Sequence, residues 1–127
     1  MTQSTDTQTK SLYERLGGAE QIASISSAIV ERHIANPLIN QHFQNIEDVD
    51  QFKKHVADFF SMGSGGPANY QGRDMPGAHK DMNLNEKDLI AATDDVLAVL
   101  DDHGIDPVSR NEVLAILYSL KDEVMFK

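Results

Sequence analysis

His79 closes the run Gly65-Gly66-Pro67-Ala68-Asn69-Tyr70-Gln71-Gly72-Arg73-Asp74-Met75-Pro76-Gly77-Ala78-His79, and the order of residue types there points to one use for its imidazole. A glycine-rich stop, an aromatic and basic linker and a proline suited to a first helical turn aim a single histidine at a cavity. Upstream, His55 lies in Phe52-Lys53-Lys54-His55-Val56-Ala57-Asp58-Phe59-Phe60, between two sets of large apolar side chains. A neutral imidazole facing a dry cavity is a ligand for iron, and two such imidazoles with apolar surroundings suit haem. Met75 and Met82 flank His79 at about one helical turn, flexible enough to pack on a flat macrocycle, and Leu84 extends that apolar set. Arg73, near the helix start, is placed to pair with a propionate carboxylate. Residue types alone leave a second reading open, in which His79 is an ordinary structural histidine and the methionines fill ordinary gaps.

Other chemistries are poorly supported. The chain has no cysteine, which excludes disulfides, thiolate nucleophiles and thiolate-bound metals. Its formal charge of −9, from 20 acidic against 11 basic residues, repels a phosphate backbone, so no nucleic-acid partner is expected. The carboxylate pairs Asp101-Asp102 and Glu47-Asp48 fall on terminal or connecting segments and read as solvated. Gly63-Ser64-Gly65-Gly66 lacks the lysine of a phosphate loop, and no two histidines have the spacing of a zinc-protease helix. No stretch of roughly eighteen apolar residues is present, so no membrane span is expected. Met1 to Lys10 are polar and lack the apolar centre of a secretory signal. Residues 1–10 are therefore expected to be a disordered tail, and 11–127 a single cytoplasmic domain, acting as a monomer.

The elements that must position the histidines read as helices separated by glycine and proline. Ser11-Leu12-Tyr13-Glu14 has the form of a capping box, closed by Gly17-Gly18. Glu20 to Ala35 follows, with Ile22, Ile25, Ile29 and Ile34 near a helical period, and ends before Asn36-Pro37. A short turn from Leu38 delivers Phe43. Asp50 to Met62 puts Phe52, Val56, Phe59 and Phe60 on one face, and Gly63 to Gly66 stop it. Pro76 opens a short helix that presents His79. Asn85 opens a longer one to about Asp102, with a buried stripe of Leu89, Ala92, Val96, Leu97 and Leu100. The last helix runs from Asp106 or Pro107 to about Met125, carrying Val113, Leu114, Ile116, Leu117 and Leu120. Nothing alternates long enough for a strand, so the class is all-α.

Four blocks, spaced as they are, resemble the group I truncated haemoglobins over roughly Ser11 to Val124. They are Ser11 to Gly18, Asn36-Pro37 leading to Phe43, His55 to Phe60, and Gly65-Gly66-Pro67 through Tyr70 to Met75 and on to Ala78-His79. The resemblance implies a truncated globin, a two-over-two helical sandwich around non-covalent haem b. It implies His79 as proximal iron ligand and Phe43 as the aromatic that wedges the haem. The haem-contact set expected with it is Val30, Phe43, Phe52, Val56, Phe59, Phe60, Tyr70, Arg73, Met75, Met82 and Leu84. Phe60 stands where an aromatic lines or gates an apolar route to the distal side, and equally where a core phenylalanine would sit. By residue type, Tyr70 and Tyr118 are packing residues and Tyr13 anchors the first helix.

Departures from the family are informative. A Phe-Tyr pair usual before Asn36-Pro37 is here Ile29-Val30, and a usual His-Gln is here His55-Val56. With Phe52 one turn earlier, no hydroxyl or amide is left to hold a polar oxygen adduct, and weak oxygen retention is expected unless His55 or a water supplies the bond. In some cyanobacterial members the matching histidine becomes a sixth iron ligand, and His55 is expected to do the same, exchangeably. Covalent haem attachment is not expected, because Ser119-Leu120-Lys121-Asp122 offers no histidine where those proteins have one. His33 is expected on an outer or boundary face, His103 at a helix C-terminus, and His42 at the border of the distal pocket, behind His55. The implied activity is binding of dioxygen, carbon monoxide or nitric oxide. The alternatives are nitric oxide dioxygenase chemistry and redox or peroxidase-like electron transfer with a reductase.

Overall fold

The computed structural model describes residues 10–67, 70–80 and 82–127, and among these every regular element is helical. The expected polar tail, apart from Lys10, lies outside the described residues, as do Ala68 and Asn69 of the linker. In chain order the helices are α1 (Leu12–Arg15), α2 (Gly18–Ala35), a 3-10 turn (Asn40–Phe43), α3 (Val49–Gly63), α4 (Met75–Ala78), α5 (Glu86–Asp102), α6 (Pro107–Ser119) and α7 (Lys121–Val124).

Local chemistry sets most of the boundaries. The Ser11 hydroxyl accepts from the Glu14 amide at 3.2 Å while the Glu14 carboxylate accepts from the Ser11 amide at 3.1 Å, completing the expected capping box. Asn85 and Asp88 form a second such box at α5. Asp48, Asp74 and Asp106 each cap the helix that follows by accepting a backbone N–H. Each of these caps satisfies an amide that has no partner within its helix, worth about 1 kcal/mol. The helix α2 ends at Ala35, ahead of Asn36-Pro37, as the proline requires.

Packing follows two pairs, α2 with α3 and α5 with α6, joined through a contact between α2 and α5. Leu12 and Leu16, then Ile22, Ile25 and Ile29 of α2, Val96, Val99 and Leu100 of α5, Ile105, and Val113 of α6 make one buried cluster. Each such side chain removed from water contributes roughly 1.5–3 kcal/mol. The helix α1 is pinned at its N-terminal end, where the Tyr13 amide donates to the Ser64 carbonyl at 2.8 Å. Its ring lies against Gly66, where a Cβ would come under 3.0 Å from the Tyr13 side chain. A glycine is therefore required there. No residue of α3 is fully buried; Phe52, Val56, Phe59 and Phe60 form an apolar wall that is half-buried along its length.

Three expectations are corrected. Ile34 is 37% exposed, because the inner face of α2 runs through Ile22, Ile25, Ser26, Ile29 and Val30. The buried stripe of α5 is Ala91, Asp95, Val96, Val99 and Leu100; Leu89, Ala92 and Leu97 are only half-buried, since the helix is rotated to bring Asp95 against α2. The last helix does not run unbroken to Met125. It stops at Ser119, where the Leu120 amide turns back to the Leu117 carbonyl at 3.1 Å, and α7 resumes it.

Candidate haem site

Positioning of His79 begins with Asp74, whose carboxylate accepts from the Gly77 amide at 2.9 Å, and with Pro76 in the first turn. The resulting helix is one turn long, and His79 sits just past its end rather than within it. Its backbone N–H reaches the Met75 carbonyl at 3.2 Å, and ring Nδ1 lies 2.8 Å from the same oxygen. A ring nitrogen facing a carbonyl must carry a proton, so Nδ1–H donates, and in the neutral ring the lone pair is on Nε2. That is the tautomer and the orienting bond a metal-ligating imidazole needs. Met75, expected to act through its side chain, thus orients His79 through its backbone. Met82 and Leu84 follow; the Met82 amide donates to the His79 carbonyl at 3.2 Å, and Leu84 pairs with the C-terminal segment through the Phe126 amide at 2.9 Å.

On the α3 side, His55 has a buried Nδ1 with no hydrogen-bond partner. Its ring meets Tyr70 edge-on at 6.3 Å and 78°. Tyr70 in turn packs edge-on against Phe59 at 5.6 Å, and Phe59 against Phe60 at 6.4 Å. The Tyr70 hydroxyl donates to the Arg73 carbonyl, while burial raises its pKa above the ordinary phenol value against the opposing charge of Arg73. Arg73 itself is exposed. A second aromatic group forms where Phe43 stacks on His33 at 5.4 Å and 27° and tilts against Phe52 at 6.2 Å. Val30 is 1% exposed and Val56 half-buried. Phe59 and Phe60 also line a small apolar cavity with Leu12, Leu16, Val113 and Ile116, and Phe60 packs on the core cluster.

The contact that the sequence reading missed lies beside Phe43. His33, expected at an outer or boundary face, has its Nδ1 2.8 Å from Oδ2 of Asp95, a carboxylate only 6% exposed. The Asn36 amide donates to both oxygens of Asp95 at 3.1 and 3.2 Å, and Arg32 lies at 3.4 Å. Burial lowers the His33 pKa from its ordinary value, against the pull of Asp95. The signal was present in the sequence: Ala91, Asp95 and Val99 form an i, i+4, i+8 series, and an acid in such a series needs a partner on the facing helix. His42 places Nε2 3.8 Å from Asp88 Oδ2, beyond hydrogen-bond range but close enough for an ion pair when protonated. His103 meets its expectation, capping α5 with Nδ1 2.8 Å from the Val99 carbonyl and Nε2 3.1 Å from the Ser24 hydroxyl.

Among the described residues no three His, Cys, Asp or Glu side chains gather into a metal cage. An imidazole oriented through Nδ1, as in His79, is a donor of the kind that haem iron takes, since the macrocycle brings the other ligands, and haem fits such a donor.

Residues 11–126 match the bacterial-like globin family. The chain is 28% identical over 118 residues to the group 1 truncated haemoglobin of Tetrahymena pyriformis, covering 93% of this chain and 97% of the relative. It is 30% identical over 109 residues to the group 1 truncated haemoglobin GlbN of Synechocystis, covering 83% and 87%. The crystal structure of the Tetrahymena pyriformis protein in its Fe(III) form superimposes with a TM-score of 0.88, at 28% identity, covering 93% of this chain and 100% of that one. The 2/2 haemoglobin of Synechococcus in the cyanomet state, with covalently attached haem, gives 0.82 at 26% identity, covering 91% and 98%. The chain therefore belongs to the bacterial-like globin family, among its group 1 truncated haemoglobins.

Proposed function

We propose that this globin binds small diatomic gases at a haem whose iron is held by His79 and competed for by His55. Globin membership carries the cofactor, non-covalent haem, for which haem b is the usual form. When bound, haem would supply the iron that binds the gas. His79 Nε2 would hold that iron, the ring kept in orientation by the Nδ1–H bond to the Met75 carbonyl. His55, whose buried Nδ1 has no hydrogen-bond partner, would be available as a second, exchangeable ligand. This unpartnered ring is the observation that carries the proposal.

Val30, Phe52 and Val56 carry no hydrogen-bond donor, so dioxygen, carbon monoxide and nitric oxide would meet apolar side chains there. Occupation of the second position by His55 lowers apparent gas affinity in proportion to the fraction of protein that is open. Two imidazoles on one iron also favour electron transfer, since little rearranges on reduction, and a redox role with a cellular reductase is the second reading. Nitric oxide oxidation requires long retention of oxygen, which an apolar pocket disfavours. The same reading makes the protein a cytoplasmic monomer.

Optical spectra of the ferric and ferrous haem-loaded protein, beside His55→Leu, test the proposal. The expected result is a low-spin six-coordinate spectrum that becomes high-spin in the variant. A high-spin spectrum indifferent to the substitution overturns His55 ligation. His79→Ala is expected to lose stable haem uptake, and normal uptake would remove His79 from the iron.

A further inference from the structure

Tyr70 touches His55 directly and hydrogen-bonds into the loop that leads to His79. Its ring lies edge-on to His55 at 6.3 Å and to Phe59 at 5.6 Å, so it packs on two successive turns of the inner face of α3. Its hydroxyl donates to the Arg73 carbonyl. The next residue, Asp74, caps α4 through the Gly77 amide at 2.9 Å, and the Met75 carbonyl of that same turn takes the Nδ1 proton of His79 at 2.8 Å. Gly72 makes the path possible: a Cβ built there would come under 3.0 Å from the Tyr70 phenol oxygen and ring. The phenol is thus clamped over its own loop, and the loop is the foundation of the proximal turn.

We infer that Tyr70 is a positioning residue for His55, anchored through Arg73 to the turn that carries His79, so that occupation of the distal position by His55 depends on the proximal loop. This rests on the reading of His55 as an exchangeable ligand. The physical argument is local. His55 Nδ1 has no hydrogen bond to fix the ring, which leaves the edge contact with Tyr70 to restrict it. Tyr70 is in turn restricted by its hydroxyl bond. Tyr70→Leu removes both restraints, and Tyr70→Phe removes the anchor alone while keeping the edge. From the usual worth of an aromatic pair, the His55 binding constant falls roughly twofold to tenfold in Tyr70→Leu, and by less in Tyr70→Phe.

The test measures six-coordinate fraction and carbon monoxide association after flash photolysis in the ferrous haem-loaded protein, for wild type, Tyr70→Phe and Tyr70→Leu. Each Tyr70 substitution is repeated on His55→Leu. Support requires a six-coordinate wild type, a graded fall from wild type through Tyr70→Phe to Tyr70→Leu, and a smaller change in carbon monoxide association on the His55→Leu background than on the wild type. A six-coordinate wild type whose fraction is unchanged or raised in Tyr70→Leu overturns the role of Tyr70 and leaves His55 ligation standing. An equal effect on the His55→Leu background overturns it too, as general loosening of the pocket. A five-coordinate wild type, indifferent to His55→Leu, overturns both inferences together.

Discussion

Val56 stands on α3 one residue past His55, half-buried, at the place where the resemblance puts a glutamine. The substitution Val56→Gln returns a donor to the pocket and gives the apolar reading a sharp test. A hydrogen bond to a strongly polarised oxygen is worth about 1.5–3 kcal/mol, so oxygen release is expected to slow at least roughly tenfold. Carbon monoxide, far less polarised when bound, is expected to leave at nearly the wild-type rate. Release is measured from the gas-bound protein by stopped flow, so competition by His55 does not enter. Equal slowing of both gases would mean a steric effect and no new bond. The matching experiment at Val30 is poorer, since that side chain is 1% exposed and a tyrosine would overpack the core. At this scale residue type and spacing were enough to single out His79 and His55 as candidates, and the resemblance to single out Phe43. It was silent on the His79 tautomer, which depends on where the Met75 carbonyl points.

Asp95 shows what a helix does that its periodicity does not reveal. The apolar residues of α5 fall on several faces, so a helical period alone leaves the rotation of the helix undetermined by about one residue. His33 and Asn36 of the facing segment decide it, since a carboxylate buried without them would be far more costly than a rotated leucine. Asp95→Ala is therefore expected to lower unfolding free energy by about 2–3 kcal/mol, leaving His33 and Asn36 without their acceptor. Asp94→Ala, one residue earlier and exposed, is expected to change it by less than about 0.5 kcal/mol. Urea unfolding of both variants distinguishes the cases, and similar effects would mean that Asp95 is not the fixed point between α2 and α5. Capped and proline-marked ends were legible because their signals are local. The break at Leu120 was not, because no glycine or proline marks it and only the return of its amide to Leu117 makes the turn.

Across the whole molecule, the start of the fold is tied to its end by one charged network. Arg15 of α1 pairs with both oxygens of Glu112, Nη2 at 2.9 Å from Oε1, and donates at 3.0 Å to the Ser109 hydroxyl, which itself donates to Asp106 at 2.8 Å. The hydrogen bond from Arg15 holds the Glu112 carboxyl below its ordinary pKa, and the Ser109 amide and hydroxyl do the same for Asp106. A carboxylate with a depressed folded pKa binds fewer protons folded than unfolded, so its contribution is complete above the unfolded value and disappears as pH falls through the folded one. His33 acts earlier: its lowered pKa means that the unfolded chain takes up a proton first, and stability begins to fall below about pH 6.5. Acidification also eases self-repulsion in a chain of net charge −9, which opposes both losses, so the difference between two proteins is the informative quantity. Glu112→Gln is expected to be less stable than wild type at pH 7, with the gap constant to about pH 5 and closing as pH falls below about 4. Urea midpoints of the haem-loaded proteins across that range measure the gap. A gap that stays constant down to pH 3 would mean that the Arg15–Glu112 pair contributes shape alone and no proton-linked stability, since a carboxylate protonated in both states cannot distinguish them.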